Sequence, residues 1–347
     1  MKISRTPKSR IDTIDFSNLP FGKYFADHML VCHFKNGEWQ EPEILPYGKV
    51  SITYALHALH YGQAAFEGLK AYRRVDDGIS IFRPLDNFKR LNRSAERLLM
   101  PQVPESISME GLKQLIDLDR EWVPRADDHA LYVRPFLFSS SEFIAARPSE
   151  DFTFVILTSP VGPYYSGAVK VKIEDKFTRA ASGGIGYTKA AGNYGGAFYP
   201  TAQAIKEGFN QVIWTDHRDH AYIEESGTMN VMVRIGDKML TPPLSDRILA
   251  GITRDSILKL TRDWGMDVEE RPVSVMEVVE AARAGNLKEM FGMGTAAVVS
   301  QIKMLGYHGE LFDIPTPTDG FAMKIKKGLT DIRNGSVEDQ FGWMVNL

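Results

Sequence analysis

Apolar residues recur along this chain with two spacings, one typical of strands and one typical of helices. In "ALYVRPFLF" and "FTFVIL" the apolar side chains alternate or run on continuously, which predicts strands. The segment "PLDNFKRLNRSAERLLMP" places Phe88, Leu91 and Ala95 on one face of a helix, and "SMEGLKQLIDLDREW" repeats that pattern. The first half of the chain therefore mixes strands with amphipathic helices.

The second half shows the same mixture. "FNQVIWTD" and "TMNVMVRIGDKMLTPP" predict strands, the second of them a hairpin that turns at Gly236 and Asp237. "SVMEVVEAARAG" predicts a helix with Ser274 and Glu277 as a capping box and Gly285 just beyond its end. Because neither half alternates strands and helices regularly, the pattern predicts an α+β architecture rather than a doubly wound sheet.

The length of 347 residues exceeds the usual size of a single core and predicts two domains. The best boundary is "TSPVGPYYSGAVK", where prolines and glycines follow an apolar strand. We therefore expect a smaller N-terminal α+β domain over residues 1–160 and an interdomain loop over 161–169. A larger C-terminal domain over 170–347 would carry Lys189.

Composition and charge exclude several classes of protein. A net charge of -3 gives no electrostatic reason to expect nucleic acid or an anionic membrane as partner. The single cysteine, Cys32, excludes an internal disulfide and a multi-cysteine metal site, so no metal is expected. No apolar run approaches the roughly 20 residues that span a bilayer, and a cytoplasmic location is expected. The basic opening "MKISRTPKSR" predicts a frayed, solvated terminus, with a short organelle-targeting arm as the alternative.

Two basic residues stand in surroundings that are unusual for a surface cation. Lys189 lies in "GYTKAAGNYGG", among small residues and without a carboxylate nearby in sequence. In the predicted strand "ALYVRPFLF", Arg134 shares a face with Tyr132 and two phenylalanines. Such an arginine reaches the edge of the sheet, pairs with a protein carboxylate or binds an anionic ligand. The neighbouring phenol favours the ligand, since a phenol and a guanidinium together suit a carboxylate.

Two further segments have the features of anion sites. "LAGITRDSILKL" predicts a helix with Thr253 as N-cap, and the start of a helix is a natural phosphate site. A simple capped helix explains the same pattern. "FGMGTAAVVS" predicts a tight turn at Thr295 and Ala296 whose amides could bind an anion, although glycine-rich turns are common.

Three charged residues complete the set of candidates. Arg90 falls on the polar side of its predicted helix, so the pattern alone predicts a solvated side chain. Of Glu224 and Glu225 in "AYIEESGTMN", any that is buried needs a cationic partner. One scheme uses all these groups: a lysine that can form an imine, cationic and amide donors for a phosphate, an acid for a ring nitrogen and an arginine for a carboxylate. That is the inventory of a pyridoxal-phosphate enzyme.

Seven blocks of the sequence, taken in order, are similar to one family. They are "LHYGQAAFEGLKAY", "RLNRSAERLLMP", "LYVRPFLF", "KAAGNYGG", "EESGTMN", "LAGITRDSI" and "FGMGTAAVV". The chain resembles the branched-chain amino acid aminotransferases, which have the two-domain class IV pyridoxal-phosphate-dependent, D-amino acid aminotransferase-like fold. The resemblance implies pyridoxal 5'-phosphate as cofactor and a transaminase that exchanges L-leucine, L-isoleucine or L-valine with 2-oxoglutarate and glutamate.

The resemblance also implies a role for each matching residue at the cofactor. Lys189 would be the catalytic lysine that joins the cofactor covalently, and Tyr194 would hydrogen-bond its phenolic oxygen. Glu225 would meet the pyridine nitrogen. The phosphate would be held by Arg90 and by groups at Ile252, Thr253 and Thr295.

Substrate-binding residues follow from the same resemblance. Arg134 and Tyr132 would fix the second carboxylate of glutamate, and Tyr61 would orient the substrate. The turn at Thr295 and Ala296 would take the α-carboxylate. The walls of the apolar pocket would be Phe25, Phe66 and Tyr164. The loop "SSSEFIAARP" resembles one that reaches into a partner subunit, which implies a homodimer.

Three other hypotheses remain for the function of this chain. A D-amino acid aminotransferase would share the fold, the lysine and the acid, although that group is shorter and lacks the "LYVRP" arrangement. An aminodeoxychorismate lyase would share the cofactor site and eliminate pyruvate. A non-catalytic binding protein that retained the fold would share only the architecture.

Overall fold

The computed structural model describes residues 1–165 and 167–347. The chain forms two compact units. The first comprises Met1–Tyr164, Thr188–Gly192 and Asp331–Leu347, and the second comprises Tyr165–Tyr187 and Asn193–Thr330. Among the described residues, no helix is both long enough and apolar enough to cross a bilayer.

This division differs from the predicted one at two places. The segment around Lys189 belongs to the first unit, because Ala190 forms an isolated bridge with Ala65 and Ala191 N–H donates to the carbonyl of Ala64 at 2.9 Å. The C-terminal residues also return to the first unit, where the last strand pairs with Ile79–Phe82. Both additions are strand pairings between residues far apart in sequence, which the local pattern of apolar residues does not reveal.

The helices and strands are as follows. The helices are α1 (His57–Tyr61), α2 (Pro84–Arg97), α3 (Glu105–Leu118), α4 (Gly192–Gly195), α5 (Phe198–Lys206), α6 (Ile252–Asp263), α7 (Val275–Arg283) and α8 (Phe321–Arg333). The first ten strands are β1 (Lys2–Ile3), β2 (His28–Lys35), β3 (Glu38–Trp39), β4 (Glu43–Pro46), β5 (Ala64–Phe66), β6 (Leu69–Arg73), β7 (Ile79–Phe82), β8 (Ala130–Ser139), β9 (Phe152–Val161) and β10 (Val169–Ile173). The others are β11 (Gln211–Thr215), β12 (Tyr222–Ser226), β13 (Asn230–Ile235), β14 (Lys238–Thr241), β15 (Val268–Glu270), β16 (Val273–Ser274), β17 (Leu287–Gly294), β18 (Val298–Tyr307), β19 (Glu310–Asp313) and β20 (Met344–Asn346).

The first unit is built on a sheet of strand order β1-β4-β2-β9-β8-β6-β7-β20, with β3 paired to β2 and β5 paired to β8. Its core brings apolar side chains of the strands together with those of α2 and α3, among them Leu69, Leu131, Phe88 and Leu112. Since side chains alternate along a strand, Tyr132 and Arg134 point to the face opposite Leu131. One face of the sheet is therefore packed with helices, and the other carries the polar candidates.

The second unit contains a sheet of order β15-β14-β13-β17-β18-β10-β11-β12-β16, with β19 paired to β18. The strand β10 runs parallel to both β11 and β18, while most other neighbours are antiparallel. Buried valines and isoleucines of the strands and of α7 form its core. The predicted hairpin turn at Gly236 and Asp237 joins β13 to β14, and the predicted α+β architecture is confirmed.

The N-terminal segment is ordered, so the prediction of a frayed terminus was wrong. The strand β1 pairs in parallel with β4, which adds two residues to the edge of the first sheet. Thr6 N–H donates to Nε2 of His28 at 2.9 Å, and Nδ1 of the same ring lies 2.6 Å from Oδ1 of Asp119. The basic composition of the segment does not reveal this pairing, because the partner residues lie later in the chain.

Candidate active site

Lys189 is held by main-chain hydrogen bonds on both sides. Phe66 N–H donates to the carbonyl of Lys189 at 3.1 Å, and Lys189 N–H donates to Oγ of Ser94 at 3.0 Å. These contacts fix the lysine backbone to β5 and to α2. Its Nζ lies 4.6 Å from the centroid of the Phe66 ring. The small residues around Lys189 allow the segment to pair closely with β5.

Arg90 is buried, so the prediction of a solvated arginine was wrong. Its Nε and Nη2 donate to the two carboxylate oxygens of Glu67 at 2.7 and 2.9 Å. The Glu67 side chain is 0% exposed and that of Arg90 is 9% exposed. Glu67 is fixed in turn, since its N–H donates to the carbonyl of Pro135 at 2.7 Å and Gly68 N–H donates to its Oε2 at 3.1 Å. The polar side of α2 therefore faces the carboxylate of Glu67, which lies in the chain between β5 and β6.

Tyr132 and Arg134 act as a pair, as their shared strand face predicts. Nη2 of Arg134 donates to the Tyr132 hydroxyl at 3.0 Å. The guanidinium carbon lies 4.7 Å from the centroid of Phe66 and 5.4 Å from that of Tyr132. Gly68 leaves room for the phenol, because a Cβ at that position would lie 2.1 Å from the Tyr132 hydroxyl oxygen. Phe66 is therefore close to both Lys189 and Arg134.

The aromatic residues predicted to line the apolar pocket pack against different aromatic neighbours. Phe21 packs edge-on against Tyr132 at 4.8 Å and against Tyr164 at 5.0 Å, both measured between ring centroids. Burial raises the pKa of Tyr164 above its usual value. Phe25 stacks instead on the ring of Tyr47 at 4.8 Å. The structure thus joins Tyr164 to Tyr132 through Phe21, which was not predicted.

Tyr61 is tied to the loop that was expected to reach a partner subunit. Its hydroxyl donates to the carbonyl of Ile144 at 2.5 Å. Tyr61 closes the short helix α1, which Gly62 ends with a positive φ of 62°. The position of the ring is therefore set by a helix end and by the loop.

In the second unit, both glutamates of "EESGTMN" are buried, and each has an arginine partner, as predicted for buried acids. Oε2 of Glu225 lies 3.0 Å from Nε of Arg179. Oε1 of Glu225 accepts the N–H of Leu249 at 2.8 Å and a contact from Asn230 Nδ2 at 3.4 Å. The ion pair and these donors stabilise a negative charge on Glu225.

The start of α6 has a different cap from the predicted one. Gly251 occupies the N-cap position, and Thr253 lies inside the first turn with its side chain buried. Gly251 is required by packing, because a Cβ there would lie 2.0 Å from Oδ1 of Asn230. Ile252 is the first helical residue, so the N–H groups of the first turn point out of the start of α6.

The other residues predicted for this unit lie in a turn between two strands and in a short helix. Thr295 and Ala296 form the turn between β17 and β18, as predicted. Tyr194 belongs to α4, and Nδ2 of its neighbour Asn193 donates to the carbonyl of Ile185 at 2.9 Å. Within the parts of the chain that are described, no group of three or more His, Cys, Asp or Glu residues is placed to hold a metal ion.

Three residues that contact the candidates were missed. Glu67 and Phe21 contact Arg90 and Tyr132, and Arg179 pairs with Glu225. The signal for Glu67 was an acid inside the apolar strand pattern "AAFEGLKAY", which needs a partner when buried. Arg179 has no local signal, since its partner stands far away in sequence.

The chain is similar to known proteins along its whole length. The sequence model of the amino-transferase class IV family matches residues 64–305. The protein named branched-chain-amino-acid aminotransferase 2, from Bacillus subtilis (strain 168), is 40% identical over 352 residues, which covers 100% of this chain and 96% of that protein. The chain therefore belongs to the class IV aminotransferase family, and it is an aminotransferase.

Solved structures share the fold. A branched-chain aminotransferase from the archaeon Thermoproteus uzoniensis, solved with norvaline, has a TM-score of 0.76 at 22% identity, covering 92% of this chain and 99% of that chain. A branched-chain amino acid aminotransferase from Thermobaculum terrenum, solved in its PLP form, has a TM-score of 0.72 at 18% identity, covering 93% and 98%. The predicted two-domain class IV fold is confirmed.

Proposed function

We propose that this protein is a pyridoxal-phosphate-dependent, branched-chain amino acid aminotransferase of the cytoplasm. It transfers the amino group of L-leucine, L-isoleucine or L-valine reversibly to 2-oxoglutarate, which gives the branched 2-oxo acid and L-glutamate. The fixed position of Lys189 beside Phe66 supports the proposed use of its amine in the reaction. The full-length similarity to proteins named for this activity supports the choice of substrates.

Each unit offers side chains whose chemistry suits the cofactor that the family implies. The first unit offers a primary amine for an aldehyde, at Lys189, and a buried guanidinium for a phosphate, at Arg90. The second unit offers a buried carboxylate for a protonated ring nitrogen, at Glu225, and a helix start at Ile252 with the Thr253 hydroxyl for a phosphate. When bound, pyridoxal 5'-phosphate supplies an electron sink for the charge left when the substrate loses its Cα proton.

In this proposal Lys189 has two tasks. Its Nζ would hold the cofactor covalently in the resting protein. Once the amine of the substrate has taken its place, the released lysine amine would accept the Cα proton and return it. The hydrogen bonds to Phe66 and Ser94 restrict the lysine backbone, so the amine returns to one position. Tyr194 would hold the phenolic oxygen of the cofactor, and Thr295 would add a hydroxyl for its phosphate. Each of these roles fits the chemistry of the group concerned.

Glu225 would keep a proton on the ring nitrogen of the cofactor. A carboxylate does this only while it remains negative, and Arg179 together with Leu249 N–H stabilises that charge. The burial of the pair excludes water, which strengthens the interaction between the acid and a cationic ring. Arg179 is thus a positioning residue in the proposal.

One pocket must accept an aliphatic side chain in one half-reaction and a carboxylate in the other. Phe66 and Tyr164 provide apolar surface, as does Phe25 in the prediction. The distal carboxylate of glutamate is bound by Arg134 and Tyr132, whose mutual hydrogen bond orients both groups. Tyr61 orients the substrate, and the Thr295–Ala296 turn binds the α-carboxylate.

A second copy of the chain completes the proposal. Five apolar side chains near α1 and the loop after β8 are exposed, namely Val50, Ile52, Tyr54, Leu59 and Ile144. Tyr54 is 94% exposed. The two segments lie side by side, since the main chain around α1 pairs with that loop at Leu56–Glu142. So much apolar surface in one region is typical of a subunit interface, and we propose a homodimer.

Three substrate mixtures separate this function from its alternatives. The purified protein should form glutamate from L-leucine and 2-oxoglutarate. It should not do so from D-alanine, and it should not release pyruvate from aminodeoxychorismate. Turnover of D-alanine, or pyruvate release without amino transfer, would overturn the proposal in favour of the corresponding enzyme. A protein that binds the cofactor and turns over none of the three would be a binding protein.

A further inference from the structure

The second unit contains a pocket on the other face of the strand that carries Glu225. Glu224 and Glu225 are neighbours in β12, so their side chains point to opposite faces. Glu224 lines a pocket of about 460 Å³, and Glu225 does not. That volume lies in the range of pockets that bind small molecules. The proposed function makes no use of this space.

An ion pair forms one wall of the pocket. Nε of Arg247 donates to Oε1 of Glu224 at 2.5 Å, and Nη1 donates to Oγ of Ser182 at 2.8 Å. Among the described residues, Oε2 of Glu224 has no hydrogen-bond partner, and Arg247 donates from Nε and Nη1 but not from Nη2. The Glu224 side chain is only 4% exposed, so its unsatisfied oxygen carries a desolvation cost. The ion pair therefore leaves one carboxylate oxygen of Glu224 and one guanidinium nitrogen of Arg247 without a hydrogen bond.

The other acid of the pocket is already satisfied. Asp216 accepts main-chain N–H groups of Arg218, Asp219, Ala221 and Tyr222 at distances from 2.7 to 3.3 Å. Its task is to shape the turn between β11 and β12. Nδ1 of His217, in the same turn, is buried and has no partner among the described residues. The buried polar atoms of the pocket that lack a partner among the described residues are therefore Oε2 of Glu224 and Nδ1 of His217, and Arg218 adds an exposed cation to the lining.

The remaining lining combines apolar side chains with the polar side chains of Tyr222 and Ser245. It includes Pro242, Pro243 and Ile248, and the rings and methyl groups of these residues offer no hydrogen-bond donor. A ligand that fits must have a cationic donor for Glu224, a carboxylate for Arg247 and an aliphatic part for the prolines. A simple anion would leave Glu224 unmatched, and a dicarboxylate would bring a second negative charge towards it.

We propose that this pocket binds a free α-amino acid with an aliphatic side chain, in addition to the substrate. The ammonium group pairs with Oε2 of Glu224, the carboxylate with Nη2 of Arg247 and the ring of His217, and the side chain lies on Pro242 and Pro243. Such a ligand matches both charges in one molecule. The inference concerns binding alone and goes beyond the proposed function.

Equilibrium dialysis with labelled L-leucine tests the proposal. The holoenzyme is first reduced with borohydride, so that leucine cannot attach covalently to the cofactor. We expect saturable binding of one leucine per chain. Arg247→Lys keeps the charge beside Glu224 but removes Nη2, and it should weaken binding by about tenfold or more. Arg283→Lys makes the same change at an exposed pair with Glu310 and should leave binding unaltered.

Two further variants keep the outcome unambiguous. Pro243→Trp fills the pocket without touching the ion pair and should abolish binding even if Arg247→Lys fails to fold. Arg134→Leu alters the proposed substrate site and should leave the leucine affinity of the reduced protein unaltered. The absence of saturable binding overturns the inference, as does binding that survives Pro243→Trp or is lost with Arg134→Leu. Leucine transamination by the unreduced protein is assayed separately, so the two proposals fail independently.

Discussion

Nε of Arg179 lies 3.0 Å from Oε2 of Glu225, and both side chains are almost fully buried. A cationic partner and a main-chain donor stabilise the charged form of a buried carboxylate, whereas isolation from such groups favours the neutral form. The charge of Glu225 is what the proposed function requires at the cofactor ring. Arg179 stands 46 residues before its partner in the chain, and the fold brings the two together.

Replacement of Glu225 by glutamine removes the charge and keeps the shape. We expect kcat to fall by about a hundredfold or more, with a much smaller change in KM, since the charge matters most in the transition state. Steady-state kinetics with L-leucine and 2-oxoglutarate measure both constants. Glu224→Gln is the matched control, because it makes the same change on the other face of β12, and it should alter kcat far less. Comparable losses in the two constants for Glu225→Gln would contradict the role.

The buried pair of Glu67 and Arg90 should be important for stability. Glu67→Ala leaves a buried guanidinium without its carboxylate and should lower the free energy of unfolding by about 3–5 kcal/mol. Glu310→Ala breaks the exposed pair with Arg283 and should cost less than about 1 kcal/mol. Chemical denaturation of the two variants beside the parent protein gives both values. Equal costs would mean that the burial of Glu67 does not matter to the fold.

Arg134 should distinguish the two kinds of substrate. Arg134→Leu removes the guanidinium but keeps an apolar surface, so leucine retains its contacts while glutamate loses a charged partner. We expect kcat/KM to fall by about ten- to a hundredfold more for glutamate than for leucine. The same preparation serves as its own control, since both substrates are measured on it. An equal loss for both would identify Arg134 as a structural residue.

Asp27 should make the protein sensitive to acid. Burial pushes the pKa of Asp27 upward, but hydrogen bonds from Ser9 Oγ, Arg10 N–H and Trp122 Nε1, with the charge of Arg10, push it further down. The folded pKa is therefore below that of the unfolded chain. Its contribution to stability is complete above the unfolded pKa of about 3.9 and is lost as the pH falls through the folded pKa.

The test compares Asp27→Asn with Asp237→Asn, which alters a fully exposed aspartate. Unfolding free energies are measured at intervals from neutral pH down to about pH 3. Asp27→Asn should be less stable than the parent at neutral pH, and the gap should narrow as the pH falls. Asp237→Asn should follow the parent curve throughout. A gap of constant size would show that the charge of Asp27 contributes nothing.

Local pattern predicted much of the fold. The alternation in "ALYVRPFLF" predicted that Tyr132 and Arg134 share a face, and the structure joins them by a hydrogen bond. The hairpin at Gly236 and the helix α7 were also predicted, because turn and helix-end residues act over a few positions. Ser274 holds the N-cap of α7, but its side chain makes no capping hydrogen bond, so that half of the predicted capping box was wrong. The family followed from seven motifs in order, a signal that no single motif carries.

Partners distant in sequence were not predicted. Arg90 was expected in solvent because helical periodicity says which side is polar, but not what faces that side. Thr253 was taken for a helix cap, although Gly251 holds that position with Asn230 packed against it. The division into units differs from the prediction for a related reason, since the segment of Lys189 pairs with β5 across a long stretch of chain. Each difference arises from long-range packing.

The proposed function depends on a covalent link between Nζ of Lys189 and the aldehyde carbon of pyridoxal 5'-phosphate. Borohydride reduction of the holoenzyme, followed by proteolysis and mass spectrometry of the peptides, tests it most directly. We expect one modified peptide, which contains Lys189 and carries the added mass of the phosphopyridoxyl group. A modification confined to another lysine, or no modified peptide after incubation with the cofactor, would contradict it.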